Sequence, residues 1–215
     1  MKEKGRIELA RDDGDVRNAT VILDSSPQLV LASASPRRHQ LLSELGVLFD
    51  ICVADVIELN ATQVPDPREM VLQNAGLKAD WVAEKYPKSF VLGADTTVFL
   101  DETILNKPVD MKEAREMLRF LSGRTHTVFT GISFLNRELG LSETLKVNSE
   151  VTFKLLDEDM ITHYHSIIDP LDKAGGYAIQ DGGEMIVESY EGSLSNIIGL
   201  PIEETKEILV RHHLL

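Results

Sequence analysis

Residues Leu31–Gly46 read LASASPRRHQLLSELG, and the order of residue types predicts a strand that stops at a turn and opens onto a helix. The run Leu29-Val30-Leu31-Ala32 is apolar without a break, as in a buried strand. Ser35 is a suitable N-cap, and Pro36 sits at N1, where a missing N–H costs nothing. Leu41, Leu42 and Leu45 form one apolar face, and Gly46 falls at the C′ position. Arg37 and Arg38 oppose the helix dipole in the first turn, at about 0.3 kcal/mol or more each. Two serine hydroxyls (Ser33 and Ser35), free N–H groups and two guanidinium forks converge on one spot, which suits a phosphate. A plainer reading leaves both arginines solvated and the serines as caps.

The chain has 215 residues, enough for one large domain or two small lobes around a real core. No run approaches the ~18–20 apolar residues of a membrane span. The first 25 or so residues are polar and lack the apolar centre of a signal peptide, so residues 1–27 are expected to be a partly ordered extension to a domain over 28–215. Cys52 is the only cysteine, which excludes an intrachain disulfide and points to a reducing cytoplasm. The net charge of −13 argues against binding long nucleic acid. An acidic protein that takes a polyphosphate must gather its cations, and usually a divalent metal, in one cleft.

Further along, Phe49–Ala54 alternates as a strand would. Asp66-Pro67-Arg68-Glu69 combines an N-cap, Pro at N1 and Glu at N3, and starts a helix running towards Tyr86. Gly76 inside that helix costs ~1 kcal/mol relative to Ala, so either a backbone packs closely there or a ligand needs the space. Lys78 is two residues on; taken alone, a helix lysine is more often solvated than functional. Phe90–Leu100 (FVLGADTTVFL) reads as a central strand with Asp95, Thr96 and Thr97 in its middle. A buried unpaired carboxylate would cost several kcal/mol, so Asp95 needs a metal, a cleft or an ion pair with a lysine.

Asp110–Glu113 is another capping box, opening a helix from Glu113 to Leu121 that ends at Gly123. Thr127–Leu135 and Leu145–Leu155 suggest an antiparallel pair joined around Asn136–Gly140. Asp157 caps a helix whose His163 and His165 point to different faces, which disfavours a metal site. His212 and His213 suit a helix C-terminus. Glycines punctuate two expected strands, Tyr177–Gln180 and Met185–Ser189, either as hairpin chemistry or to let backbone approach a ligand. Pro201 opens a last helix, Ile202–His212. Strands alternating with helices around a hairpin-like middle predict an α/β fold. The expected form is an elongated, twisted mixed β-sheet with helices on its faces and two lobes around a cleft.

Six stretches together resemble the Maf family of nucleotide pyrophosphatases. They are LASASPRR (31–38), LGADTTV (92–98), NKP (106–108), LSGRTHTVFTG (121–131), PLDKAGGYAIQ (170–180) and EGSLSNIIGLP (191–201). The resemblance runs from Leu29 to the C-terminus. It implies a two-lobed fold similar to inosine triphosphate pyrophosphatases, and metal-dependent cleavage of nucleoside triphosphates to monophosphate and pyrophosphate, commonly by homodimers. GADT with YAIQ is similar to the branch acting on dTTP and UTP in nucleotide-pool sanitation, rather than the 7-methyl-GTP branch. By this resemblance Asp95 is the proton acceptor, and Arg37, Thr96 and Gln180 tune substrate choice. Ser33, Arg38, Glu58, Lys78 and Lys107 fall on positions of the polar cleft. Two departures stand out: Ile57-Glu58 replaces an Asp-Glu pair, and Gln73–Lys78 replaces an Arg-rich stretch. The first favours a rival reading, a nucleotide-sensing division or septum regulator with weak catalysis.

The corresponding mechanism clamps the triphosphate with the Ser33–Arg38 turn (Ser35 included) and Lys78 or Lys107. Glu58 and Asp95 hold Mg²⁺ or Mn²⁺. Asp95 deprotonates a water for attack at the α-phosphorus, and Gln180 offers donor and acceptor to the imide edge of uracil or thymine.

Overall fold

A computed structural model describes residues 28–215; the extension expected over 1–27 lies outside the described residues. Leu29–Ala32 forms β1, and Ser35 caps α1 (Pro36–Glu44) as its sequence requires, its side chain accepting from the Arg38 N–H. Asp66 caps α2 (Pro67–Lys85) in the same way. Next come β3 (Phe90–Leu100), β4 (Thr103–Leu105) and α3 (Met111–Leu121), which starts two residues before the expected Glu113. The long hairpin is β5 (Thr125–Asn136) and β6 (Leu141–Phe153). Asp157 caps α4 (Glu158–Ile167), and α7 (Ile202–Arg211) closes the fold.

With the short strands β2 (Asp50–Ile51) and β7 (Val187–Glu191), the sheet is mixed, in the order β2-β1-β3-β5-β6-β7 with β4 paired to β3. β1 runs parallel to β2 and β3, while the pairs β3–β4, β3–β5, β5–β6 and β6–β7 are antiparallel. Strand alternation sorts the core between the two faces. Val30, Ala32 and Val91 pack with Ala79 and Val82 of α2, whereas Leu29, Leu31 and Leu92 pack with Leu41 and Leu42 of α1 and Leu209 of α7. A separate cluster around Val128, Phe153, Leu118 and Tyr164 fills the α3–α4 end.

α2 lies almost on the backbone of the sheet. A Cβ added at Gly93 would stand 2.4 Å from the Ala75 carbonyl oxygen, and one at Gly131 would stand 2.6 Å from the Val71 carbonyl. The close approach therefore belongs to two strand glycines. A Cβ at Gly76 would meet nothing within 4 Å.

Three expected strands are corrected. Phe49–Ala54 shrinks to β2 (Asp50–Ile51), because its sole partner β1 ends at Ala32 and gives way to the Ser33–Ser35 turn. Tyr177–Gln180 joins no ladder: Gly175 and Gly176 are left-handed at φ 72° and 71°, and both backbone groups of Ala178 bond to the Tyr164 hydroxyl instead. Met185–Ser189 begins as a helical turn, α5 (Gly183–Ile186), before β7 (Val187–Glu191). The sequence reading also missed β4 and the short α6 (Leu194–Ile198). Among the described residues no helix is long and apolar enough to cross a membrane.

The ladder of β3 has a gap that places the site. On one edge β3 pairs with β1 as far as Gly93, and with β4 only from Val98 onward. Ala94, Asp95, Thr96 and Thr97 lie between, so a cleft opens where the parallel strand β1 ends, as is usual for ligand sites in α/β sheets.

Candidate active site

At that gap, successive side chains of β3 leave on opposite faces. Asp95 turns towards α2: its Oδ1 lies 2.7 Å from Lys78 Nζ and its Oδ2 accepts from Asn74 Nδ2 at 3.2 Å. Thr96 turns towards α1, where its hydroxyl accepts from Arg38 Nη2 at 2.9 Å. All ten residues singled out in the sequence line one cleft of ≈ 510 Å³: Ser33, Ser35, Arg37, Arg38, Glu58, Lys78, Asp95, Thr96, Lys107 and Gln180. None of them is placed elsewhere.

Asp95 and Lys78 are both buried, at 7% and 8% exposure, so the ion pair considered for Asp95 is present. It is not closed on itself, because Lys78 Nζ also lies 2.8 Å from Glu58 Oε1. Two carboxylates share one ammonium, and the cluster keeps a net negative charge. Burial alone would push the Glu58 carboxyl up. The charge and hydrogen bond of Lys78, with the charges of Lys107 and Arg38, outweigh that and hold it below the ordinary carboxylate value.

The opposite wall is cationic. Arg38 donates from Nε to the Gly199 carbonyl at 2.7 Å and from Nη1 to Ser33 Oγ at 3.3 Å, besides its bond to Thr96. These acceptors are neutral, so they fix the guanidinium without cancelling its charge. Burial lowers its pKa, Asp95 raises it and Arg37 lowers it again. Ser33 Oγ also accepts from the Ser35 N–H at 3.2 Å, which tightens the turn. Arg37 reaches across the cleft: Nη1 lies 2.9 Å from Asp172 Oδ2, and Nη2 donates to the Asp172 carbonyl at 3.3 Å. Asp172 Oδ1 in turn holds Lys173 Nζ at 2.5 Å. Burial would raise the Asp172 carboxyl, but Lys173 and Arg37 hold it below its ordinary value.

Sequence reasoning missed Asn74, Asp172, Lys173 and Tyr177 as parts of this cleft. Asn74 carried a usable signal, standing four residues before Lys78 and hence on the same helix face. Asp172 and Lys173 lay inside a stretch already singled out, but their partner Arg37 is far away in sequence.

The Lys78 bridge brings the only two carboxylates proposed for a metal to one point. Among the described residues, no group of three or more His, Cys, Asp or Glu could hold an ion. The two carboxylates that meet at Lys78 offer oxygen donors only, so a hard cation held there would need phosphate and water to complete its shell.

A family model described as Maf-like protein matches residues 28–212. A dTTP/UTP pyrophosphatase of Akkermansia muciniphila is 48% identical over 183 residues, covering 85% of this chain and 95% of that protein. One from Myxococcus xanthus is 46% identical over 184 residues, covering 85% and 91%. Among solved structures, a nucleoside-triphosphatase / dITP/XTP pyrophosphatase from Mycobacterium abscessus aligns at 12% identity and a TM-score of 0.42, covering 85% of this chain and 94% of that one. The matched span contains every cleft residue from Ser33 to Gly199, and on that breadth of match the chain belongs to the Maf-like protein family.

Proposed function

We propose that this protein is a nucleoside triphosphate pyrophosphatase that hydrolyses dTTP and UTP to the monophosphate and pyrophosphate. The observation that carries the reading is the pairing of walls at the β3 gap. A fixed but uncancelled Arg38 faces the Asp95–Lys78–Glu58 cluster across one cleft. The names of the relatives supply the substrate class.

In this reading Arg38, the Ser33–Ser35 turn and Lys107 bind the triphosphate, where positive charge meets the charge spread over phosphoryl oxygens. Asp95 orients a water and accepts its proton as the water oxygen bonds to the α-phosphorus. The bond from the α-phosphorus to the bridging oxygen breaks, and the electron pair leaves with pyrophosphate. Lys78 keeps the two carboxylates together. Glu58 and Asp95 would hold Mg²⁺ or Mn²⁺, which when bound supplies Lewis-acid polarisation of phosphate and water. Gln180 presents a donor and an acceptor to the imide edge of the pyrimidine. Thr96 and Arg37 shape the same choice, Arg37 through its link to Asp172.

The reading extends to a homodimer, on the family resemblance, and to a reducing cytoplasm, which the lone free thiol of Cys52 supports. Residues 28–215 are assigned as one two-lobed catalytic unit with residues 1–27 as its extension.

Purified protein incubated with Mg²⁺ and a panel of dTTP, UTP and 7-methyl-GTP tests the reading by pyrophosphate release. Release from the two pyrimidine nucleotides, with 7-methyl-GTP slow, is expected. Asp95→Asn should lower turnover by about 10²–10⁴-fold and remain folded, because Glu58 still partners Lys78. Near-normal turnover by that variant would remove Asp95 from the role of base. Nucleotide binding without release by the wild type would favour a sensor instead.

A further inference from the structure

We propose that Asn74 is a positioning residue that fixes the two cleft carboxylates relative to one another; this rests on the reading of Asp95 as the proton acceptor. Asn74 is 2% exposed, and its amide is used on both sides. Its Oδ1 accepts from the Leu59 N–H at 2.7 Å, and its Nδ2 donates to the Leu59 carbonyl at 3.0 Å and to Asp95 Oδ2 at 3.2 Å. Both hydrogens of Nδ2 are thereby committed. A flipped amide would set acceptor against acceptor at Asp95 and at the Leu59 carbonyl, and donor against donor at the Leu59 N–H, so the network dictates its orientation.

The Asp95 carboxylate is consequently held from α2 at both oxygens, by Asn74 at Oδ2 and by Lys78 at Oδ1. Glu58 directly precedes Leu59, in a segment (52–66) that carries neither helix nor strand. Among the described residues, the polar ties of that segment to the folded body ahead of the α2 cap are few. Cys52 N–H donates to the Leu31 carbonyl, Glu58 meets Lys78, and Asn74 pairs with both backbone groups of Leu59. Asn74 thus stands in for a strand partner at the one place where the irregular segment must deliver a carboxylate. Its third bond connects that delivery point to Asp95, and the spacing of the two carboxylates sets how they share a cation.

Two substitutions separate the roles. Asn74→Leu is close in volume and removes all three bonds. Asn74→Asp keeps an acceptor for the Leu59 N–H but faces Asp95 with another acceptor. The readouts are kcat and KM for dTTP, the Mg²⁺ concentration giving half-activation, and amide hydrogen exchange in the peptide containing Leu59. For Asn74→Leu we expect kcat down about 10–100-fold and half-activation at about tenfold more Mg²⁺, with KM within about threefold. Exchange at Leu59 should be about tenfold faster or more. Asn74→Asp should keep Leu59 protected and still lose kcat.

Wild-type kcat in folded Asn74→Leu, unchanged Leu59 exchange, or kcat and KM moving only with the folded fraction would overturn the proposal. Should Asn74→Leu not fold, Asn74→Ser is read in its place with the same expectations. If the wild type releases no pyrophosphate from dTTP, the functional reading has failed on its own, and the exchange measurement alone decides the tether.

Discussion

Arg38 and Arg37 sit next to each other in the chain and have different tasks. Arg38 spends its fork on Gly199, Ser33 and Thr96, all neutral, and keeps its charge for an anion. Arg37 gives its fork to Asp172, and so ties the start of α1 to the glycine-rich segment that leads to Gln180. A lysine at position 38 would keep the charge but could not reproduce three contacts set by a planar fork. Arg38→Lys should therefore raise KM for dTTP about tenfold or more, with a loss of about 1–3 kcal/mol in folding stability from the abandoned buried acceptors. Steady-state kinetics and urea unfolding read the two effects separately. The sequence marked both arginines because cations oppose the helix dipole there. The residue pattern alone could not tell them apart, and only the family resemblance gave them separate roles, since the acceptors that distinguish them come from residues far along the chain.

At the scale of elements, the packing of α2 on the sheet decides where Asp95, Asn74 and Lys78 meet. The helix rests on bare backbone at Gly93 and Gly131, where an added methyl group would press into its carbonyls. Gly93→Ala should force α2 outward and cost about 1–3 kcal/mol, with activity falling as Lys78 and Asn74 draw away from β3. Gly76→Ala meets open space and relieves a helix interior of glycine, so it should stabilise by about 0.5–1 kcal/mol. Denaturant unfolding of the two variants checks the opposed signs. The sequence pointed to Gly76 because a glycine is conspicuous in a helix, while Gly93 and Gly131 were unremarkable within strands. The starts of α1, α2, α3 and α4 were legible, since Ser35, Asp66, Asp110 and Asp157 each accept a hydrogen bond as caps. The β3–β4 hairpin was not. Its two-residue turn puts Asp101 and Glu102 at φ 46° and 63°, a conformation usually announced by Asn-Gly.

Across the whole molecule, the site depends on a segment with no ladder of its own. Gly176–Ala178 is suspended from buried side chains of β5 and α4. His126 Nε2 bonds the Tyr177 hydroxyl at 2.7 Å, His165 Nε2 bonds the Gly176 carbonyl at 3.1 Å, and the Tyr164 hydroxyl pairs with both backbone groups of Ala178. That arrangement was invisible in the sequence, where His126 carried no signal, His165 was weighed only against a metal site and Tyr177–Gln180 looked like a strand. It also makes the fold sensitive to acid. Burial pulls the His126 pKa down from 6.5 to about 3, and burial lowers that of His165 as well. Between those limits an unfolded chain takes up the proton and the folded chain does not, so this contribution is complete above about pH 6.5 and is lost as pH falls towards 3. Glu58 and Asp172, held below their ordinary values of 4.5 and 3.8, work in the same direction but at lower pH. From about pH 6.5 to about 5 the slope therefore belongs chiefly to the histidines, His126 alone contributing up to about 1.4 kcal/mol per pH unit. Urea unfolding across that range should show wild-type stability falling with pH, and His126→Gln, whose amide still reaches for Tyr177 but does not titrate, should flatten the fall by about 1 kcal/mol per unit. An undiminished slope in His126→Gln would mean that His126 is not held neutral beneath Tyr177, and the suspended segment would need another anchor.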